Sequence, residues 1–126
     1  MPAKHPPSRD LERLRLQAVE LGGKFAAAAR RAGQRPWTRE EIAQGFVVDV
    51  GDLVRLVMAK AGRRQVAHVD RKLGHELADC LWSVLVLADR YGVNLESEFE
   101  KMIASVGRKL ARRNPVRHGR RSRPTL

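Results

Sequence analysis

Two pairs of acidic residues stand three positions apart inside otherwise apolar stretches of the sequence. The first pair is Asp49 and Asp52, and the second is Glu76 and Asp79. Residues three apart on a helix share one face, so each pair presents two carboxylates on one side. Buried ionised carboxylates are costly, and four that face one another raise each other's pKa values. A divalent cation among this acidic quartet would resolve both problems.

The chemistry of the quartet favours a hard cation. Oxygen-only ligands suit Mg²⁺, Mn²⁺ or Ca²⁺ rather than zinc or copper, and Mg²⁺ commonly completes its shell with substrate phosphates. A bundle interior lined by these carboxylates is therefore predicted to be a phosphate-ester site. There are two alternative interpretations: each acidic pair forms a solvated stripe on its helix, or the carboxylates pair with Arg55, Arg71 or Lys72.

Two familiar metal motifs do not fit the second pair. Carboxylate-bridged di-iron bundles use Glu-x-x-His, whereas the residue three after Glu76 is Asp79. Zinc peptidases use His-Glu-x-x-His, and the segment that begins at His75 lacks the second histidine. We therefore interpret His75 as a residue beside the site or on the surface.

The sequence predicts an all-α, four-helix-bundle-like fold with short connections between its helices. Apolar residues at helical spacing predict the first helix over residues 9–31. Thr38 followed by Glu41 is a capping box that begins the second helix, which is predicted to end near Gly62.

The last two helices are predicted from their caps and stops. Asp70 is predicted to cap the third helix, which runs to about Tyr91 and stops at Gly92. Asn94 is predicted to cap the fourth helix, which Pro115 closes. One apolar stripe follows this fourth helix. The stripe consists of Leu95, Phe99, Met102, Ile103, Val106 and Leu110.

The charge of the chain is concentrated at one end. The 126 residues carry a formal net charge of +11, but residues 106–126 hold eight basic residues and no acid. A basic segment attracts polyanions, so non-specific nucleic-acid binding through residues 106–126 is one predicted partnership. We expect a flexible arm over 1–8, a single all-α domain over 9–113 and a disordered basic tail over 114–126.

Cysteine content and hydropathy indicate the compartment. Cys80 is the single cysteine, so no disulfide can form within the chain, as expected in a reducing compartment. No apolar stretch reaches the roughly 20 residues that span a bilayer. We therefore expect a cytoplasmic protein without a membrane partner.

The arrangement of the acidic pairs resembles the MazG-like all-α nucleoside triphosphate pyrophosphohydrolases. That family's signature is Glu-Glu-x-x-Glu, a spacer of variable length and Glu-x-x-Asp. Here the signature reads Val48-Asp49-Val50-Gly51-Asp52, a 23-residue spacer, then Glu76-Leu77-Ala78-Asp79. The similarity spans residues 37–108.

The resemblance implies that the acidic quartet binds Mg²⁺, with Mn²⁺ as the alternative, and forms the catalytic site. It implies hydrolysis of an NTP or dNTP between the α and β phosphates, which gives a monophosphate and pyrophosphate and serves nucleotide-pool sanitation. Lys101 matches the family's basic position on the last helix, and Arg108 is a weaker candidate for phosphate contact. The resemblance also implies a homodimer or homotetramer in which the bundle is completed between subunits.

The sequence departs from the family signature at several positions. Val48 replaces the first glutamate, Asp49 and Asp52 replace the next two, and Ser105 stands where an asparagine is expected. The alternative to an active enzyme is a catalytically weak or inactive helical module. Such a module would bind nucleotide, or bind nucleic acid through its basic tail.

Three further residues have two interpretations each. Trp37 is either a hydrophobic staple beside the capping box or a platform on which a base stacks. Trp82 is interpreted as a core residue rather than a base platform. Lys72 lies one turn before Glu76, where it either reaches a phosphate or pairs with that glutamate.

Overall fold

The computed structural model describes residues 9–113, which form four α-helices and no strand. The all-α fold class is therefore confirmed, and the first helix has the predicted bounds. The predicted N-terminal arm, the predicted tail and Pro115 lie outside the described residues. The helices are α1 (Arg9–Arg31), α2 (Arg39–Lys60), α3 (Val69–Arg90) and α4 (Leu95–Arg113).

The capping box of α2 is confirmed. Thr38 Oγ1 accepts a hydrogen bond from the Glu41 backbone N–H at 3.2 Å, and Glu41 Oε1 accepts one from the Thr38 N–H at 2.8 Å. Arg35 Nη1 donates to the same Oε1 at 2.8 Å. Gly62 follows the end of the helix with a φ of 81°, a left-handed conformation that glycine adopts without strain.

The predicted cap of α3 is wrong. The N-cap is His68, which has a φ of 55° and makes no side-chain capping bond, and the helix begins at Val69. Asp70 lies in the first turn, where its carboxylate is 2.7 Å from Lys60 Nζ at the end of α2. The acidic residue therefore joins two helix ends, and it sits near the positive end of the α3 dipole.

Within residues 9–93, α3 is the central helix and packs against both α1 and α2. Arg15 of α1 forms an ion pair with Asp89 of α3. Buried apolar side chains come from all three helices, and Ser83 is buried among them. This packing places the acidic face of α2 beside that of α3. The buried apolar residues are Ala18, Ile42, Leu56, Leu85, Val86 and Ala88.

The helix α4 belongs to a second compact unit that begins at Asn94. The predicted cap is confirmed, since Asn94 Oδ1 accepts a hydrogen bond from the Ser97 N–H at 3.0 Å. No residue of α4 is buried. Across the described part of the chain, no helix combines the length and hydropathy needed to cross a bilayer.

Candidate metal centre

Packing of α2 against α3 brings three carboxylates together. Oxygen atoms of Asp49, Glu76 and Asp79 all lie within 4.8 Å of one another. The first residue projects from α2 and the other two from the first half of α3. We call these three residues the carboxylate cluster. Each is partly exposed, so the cluster lies at the edge of the packed region rather than deep inside it.

The fourth predicted ligand, Asp52, is adjacent to the cluster but outside it. Its carboxylate does not belong to the group of oxygens within 4.8 Å. The charge of Asp52 nevertheless contributes to raising the pKa of Glu76, so the two carboxylates lie near one another. The structure thus brings three members of the acidic quartet together and places the fourth beside them.

Glu76 is the member of the cluster whose carboxylate lies in the least favourable environment. Its Oε1 atom is buried and has no hydrogen-bond partner among the described residues. Burial is the largest cause of a raised Glu76 pKa, followed by the charge of Asp49 and a hydrogen bond with it, and then the charges of Asp79 and Asp52. A buried carboxylate oxygen without a partner is unfavourable. A bound cation would supply both the missing partner and the compensating charge.

The groups around the cluster favour a hard cation. Every ligand atom in the cluster is a carboxylate oxygen, the donor that Mg²⁺, Mn²⁺ and Ca²⁺ prefer. Burial and the neighbouring carboxylates raise the pKa of the Cys80 thiol, which disfavours the thiolate that a soft metal would need. His75 Nε2 lies 3.3 Å from Asp79 Oδ2, and its side chain is largely exposed. The residues present therefore fit a cation such as Mg²⁺.

One of the two alternatives to a metal site, in which the acidic residues pair with Arg55, Arg71 or Lys72, is not observed within residues 9–113. Lys72 is exposed, and the predicted pair with Glu76 is not formed. Apart from His75, the cluster therefore lacks a basic partner in the described part of the chain.

The two tryptophans occupy different environments. Trp82 is partly buried, its Nε1 donates to the carbonyl of Ala18 at 3.1 Å, and its ring meets Phe25 edge-to-face at 5.7 Å. Its interpretation as a core residue agrees with these contacts. Trp37 is 59% exposed and lies against α2 at Gly45.

A cleft lined by aromatic side chains leads to the carboxylate cluster. It consists of two adjoining cavities of about 440 and 430 Å³. Arg90 lines the first cavity, whereas Asp49 and Asp79 line the second. Sequence reasoning missed the cleft because its walls come from three separate helices and from the connection between α1 and α2. Four residues line both cavities, namely Phe25, Trp37, Ile42 and Trp82.

The two predicted phosphate contacts, Lys101 and Arg108, lie on α4. Within this helix, Lys101 Nζ is 3.3 Å from Glu98 Oε2, one turn earlier. Both side chains are exposed. Their contact with phosphate stays a prediction.

A comparison with protein families identifies one match that covers more than half of the chain. The model for the MazG nucleotide pyrophosphohydrolase domain matches residues 38–118. The matched segment begins at the capping box of α2 and includes both acidic pairs. No curated protein and no solved structure matched the chain significantly.

Proposed function

Because the chain belongs to the MazG nucleotide pyrophosphohydrolase family, we propose that it cleaves an NTP or dNTP between the α and β phosphates. The products are a nucleoside monophosphate and pyrophosphate, and the role is nucleotide-pool sanitation in the cytoplasm. The observation that carries the proposal is the carboxylate cluster, in which the buried Glu76 Oε1 has no hydrogen-bond partner in the described part of the chain.

Asp49, Glu76 and Asp79 would hold Mg²⁺ or Mn²⁺, with Asp52 close enough to contribute to the site. When bound, the cation supplies Lewis acidity and neutralises phosphate charge. In the reaction, the oxygen of water forms a bond to the α phosphorus and the bond from that phosphorus to the bridging oxygen breaks. Pyrophosphate leaves with the bond electrons, and a carboxylate of the acidic quartet accepts the proton of the attacking water.

Basic side chains are proposed to orient the triphosphate. Lys72 lies one turn before Glu76 on α3 and has no ion-pair partner among the described residues, so its ammonium group is available for a phosphate. Lys101 and Arg108 are proposed to act in the same way, as the family resemblance implies. Cationic groups favour the leaving pyrophosphate by offsetting its charge.

The enzyme is proposed to work as a homodimer or homotetramer. Three valines of α2, Val47, Val54 and Val57, are each exposed by at least half of their accessible area. Apolar surface of this kind marks an interface in soluble proteins. A second copy related by a twofold axis would complete the bundle, and sedimentation of the wild type against Val54→Glu tests this assembly.

The test of the proposed activity is the identity of the products. We expect nucleotides incubated with Mg²⁺ to yield pyrophosphate rather than orthophosphate, and a chelator to abolish the reaction. Asp79→Asn should reduce turnover by at least about 100-fold, the scale of losing an electrostatic contribution to the transition state. The matched control is Asp70→Asn. This substitution changes an exposed residue of the same helix that lies outside the cluster.

The same experiment distinguishes the hydrolase from a second candidate function, that of a binding module. Val48 in place of the family's first glutamate favours a weakly active or inactive module that binds nucleotide. Nucleotide binding without turnover in the wild type would support this alternative. Removal of residues 114–126 should leave turnover intact if the carboxylate cluster is the active site. A nucleic-acid-binding module would instead lose affinity on that truncation and show steep salt dependence.

A further inference from the structure

One end of the three-helix unit formed by residues 9–93 carries four exposed arginines. The end of α1, the connection to α2 and the end of α3 meet here, since residues from all three segments line the first cavity of the cleft. None of the four arginines forms an ion pair within residues 9–113. We call them the arginine patch, which consists of Arg30, Arg31, Arg39 and Arg90.

Helix electrostatics explains three members of the patch but not the fourth. Arg30, Arg31 and Arg90 lie in the last turns of α1 and α3, where a cation stabilises the negative end of the helix dipole. Arg39 is instead the first residue of α2, where the end of the dipole is positive and a cation is unfavourable. The position of this arginine therefore has to be explained by its contacts.

The contact that Arg39 makes is with an aromatic ring. Its guanidinium carbon lies 4.9 Å from the centre of the Tyr91 ring, a cation–π contact between the start of α2 and the end of α3. Tyr91 is 56% exposed and directly follows Arg90. The contact therefore holds a cation against an exposed ring, beside another member of the arginine patch.

This surface is separate from the carboxylate cluster. Asp49 lies ten residues after Arg39 on α2, and Asp79 lies eleven residues before Arg90 on α3. At a rise of about 1.5 Å per residue, each separation corresponds to about 15 Å along the helix axis. A ligand at the arginine patch thus does not need the cation site.

We propose that this end of the unit binds single-stranded nucleic acid, with the arginine patch on the backbone phosphates and Tyr91 stacked on a base. Proteins that bind single strands combine cations that follow the backbone with aromatic rings on which successive bases stack. A duplex buries the faces of its bases, and an acidic peptide would engage the arginines without requiring the ring. The inference is independent of the proposed hydrolase activity and of the basic residues 106–126.

Fluorescence anisotropy of labelled oligothymidylate and oligouridylate with the full chain tests the stacking contact. Tyr91→Ala should weaken the binding of the oligonucleotides by about tenfold, the scale of one lost base-stacking contact. Tyr91→Phe keeps the ring and should retain most of the affinity. Inorganic polyphosphate has no base, so its binding should be the same in Tyr91→Ala and the wild type. The oligonucleotide that binds more tightly identifies the preferred sugar.

The salt dependence of binding measures the phosphate contacts. Each contact with a single strand contributes about 0.7 to the slope of log affinity against log salt concentration. Arg39→Gln and Arg31→Gln should therefore each reduce the magnitude of the slope by about 0.7. The matched control is Arg55→Gln, which removes the charge of an exposed arginine about 24 Å further along α2 than Arg39. This control should leave the affinity and the slope close to those of the wild type.

Four outcomes would overturn the inference. The first is a wild type that binds no single strand or prefers a duplex. The second is unchanged affinity and slope in Tyr91→Ala and Arg39→Gln, which would assign any binding to other basic residues of the chain. The third is an equal loss of oligonucleotide and polyphosphate binding in Tyr91→Ala. The fourth is a wild type that binds polyglutamate as tightly as the oligonucleotides, which would indicate an acidic protein partner.

Folding and hydrolysis are measured separately for each variant. Because Tyr91 and Arg39 are exposed, their replacement should leave the unfolding temperature close to that of the wild type. Hydrolysis of nucleoside triphosphates should also be unchanged in Tyr91→Ala. A wild type that binds single strands through Tyr91 but hydrolyses no triphosphate would remove the hydrolase and leave this inference standing.

Discussion

Asp49 of α2 and Glu76 of α3 hold carboxylate oxygens within 4.8 Å of each other, and one oxygen of the glutamate is buried without a hydrogen-bond partner within residues 9–113. Two like charges at this separation repel, and partial burial reduces their screening by water. The protein keeps this unfavourable arrangement at the junction of its central helix and α2. We attribute it to a cation that would offset the repulsion when bound.

Glu76→Gln should stabilise the protein in the absence of divalent cations. The change removes the negative charge of a partly buried carboxyl group, whose pKa is raised by burial and by the neighbouring carboxylates. We expect the free energy of unfolding to rise by about 0.5–2 kcal/mol, the usual size of a stabilising substitution. Thermal unfolding in a chelator measures this difference.

The same variant should lose its response to metal. If Mn²⁺ binds only the folded state, it should stabilise the wild type by about 2.7 kcal/mol at 100 times its dissociation constant. Glu76→Gln should show little of this stabilisation. If Glu76→Gln were less stable than the wild type when both are measured without metal, the electrostatic account of the cluster would be contradicted.

Val48→Glu restores the family's first glutamate and should tighten divalent binding. The valine is 64% exposed, so the fold should tolerate the change without loss of stability. The new carboxylate precedes Asp49 and adds a negative charge beside the carboxylate cluster. We expect Mn²⁺ affinity to rise several-fold, as measured by calorimetry. Val48→Gln introduces a side chain of nearly the same shape as glutamate but without its charge. This variant should bind Mn²⁺ like the wild type.

The capping box should make the stability of α2 depend on pH. A hydrogen bond from Arg35, followed by one from the Thr38 backbone, lowers the pKa of Glu41 to about 2. A carboxylate whose pKa is lowered on folding stabilises the fold above its ordinary pKa of about 4.5, and this contribution is lost as the pH falls towards 2. Glu41→Gln should therefore lower the unfolding temperature at pH 6, and the difference should shrink below pH 4.

The control for this pH series is Glu40→Gln. Glu40 is a neighbouring exposed residue without a hydrogen bond or ion pair in the described part of the chain. Its replacement should change stability little at any pH. If the Glu41→Gln difference were the same at pH 2.5 and pH 6, the hydrogen bonds to this carboxylate would not stabilise the fold.

Sequence reasoning succeeded where the interactions are local. Both halves of the Thr38–Glu41 capping box lie within one turn, and Asn94 bonds to a backbone N–H three residues away. The cap of α3 was predicted wrongly because Lys60, from the preceding helix, pairs with Asp70. Periodicity could not anticipate that contact, which depends on how two helix ends meet.

The candidate site shows the same division between local and long-range information. The spacing of the acidic pairs and their apolar surroundings predicted that α2 and α3 would bring carboxylates together. The position of Asp52 outside the cluster depends on how one helix is rotated against the other, and i,i+3 spacing does not set that rotation. The contact between Trp37 and Gly45 was also missed, since it depends on how the connection before α2 folds back onto the helix.

The central claim is that the carboxylate cluster binds a divalent cation, and titration with Mn²⁺ followed by electron paramagnetic resonance tests it most directly. We predict saturable binding by the wild type and a loss of affinity of at least about tenfold in Asp49→Asn, with a smaller loss in Asp52→Asn. Asp70→Asn should bind like the wild type. Equal affinity in the wild type and Asp49→Asn, or no specific binding to the wild type, would contradict the account.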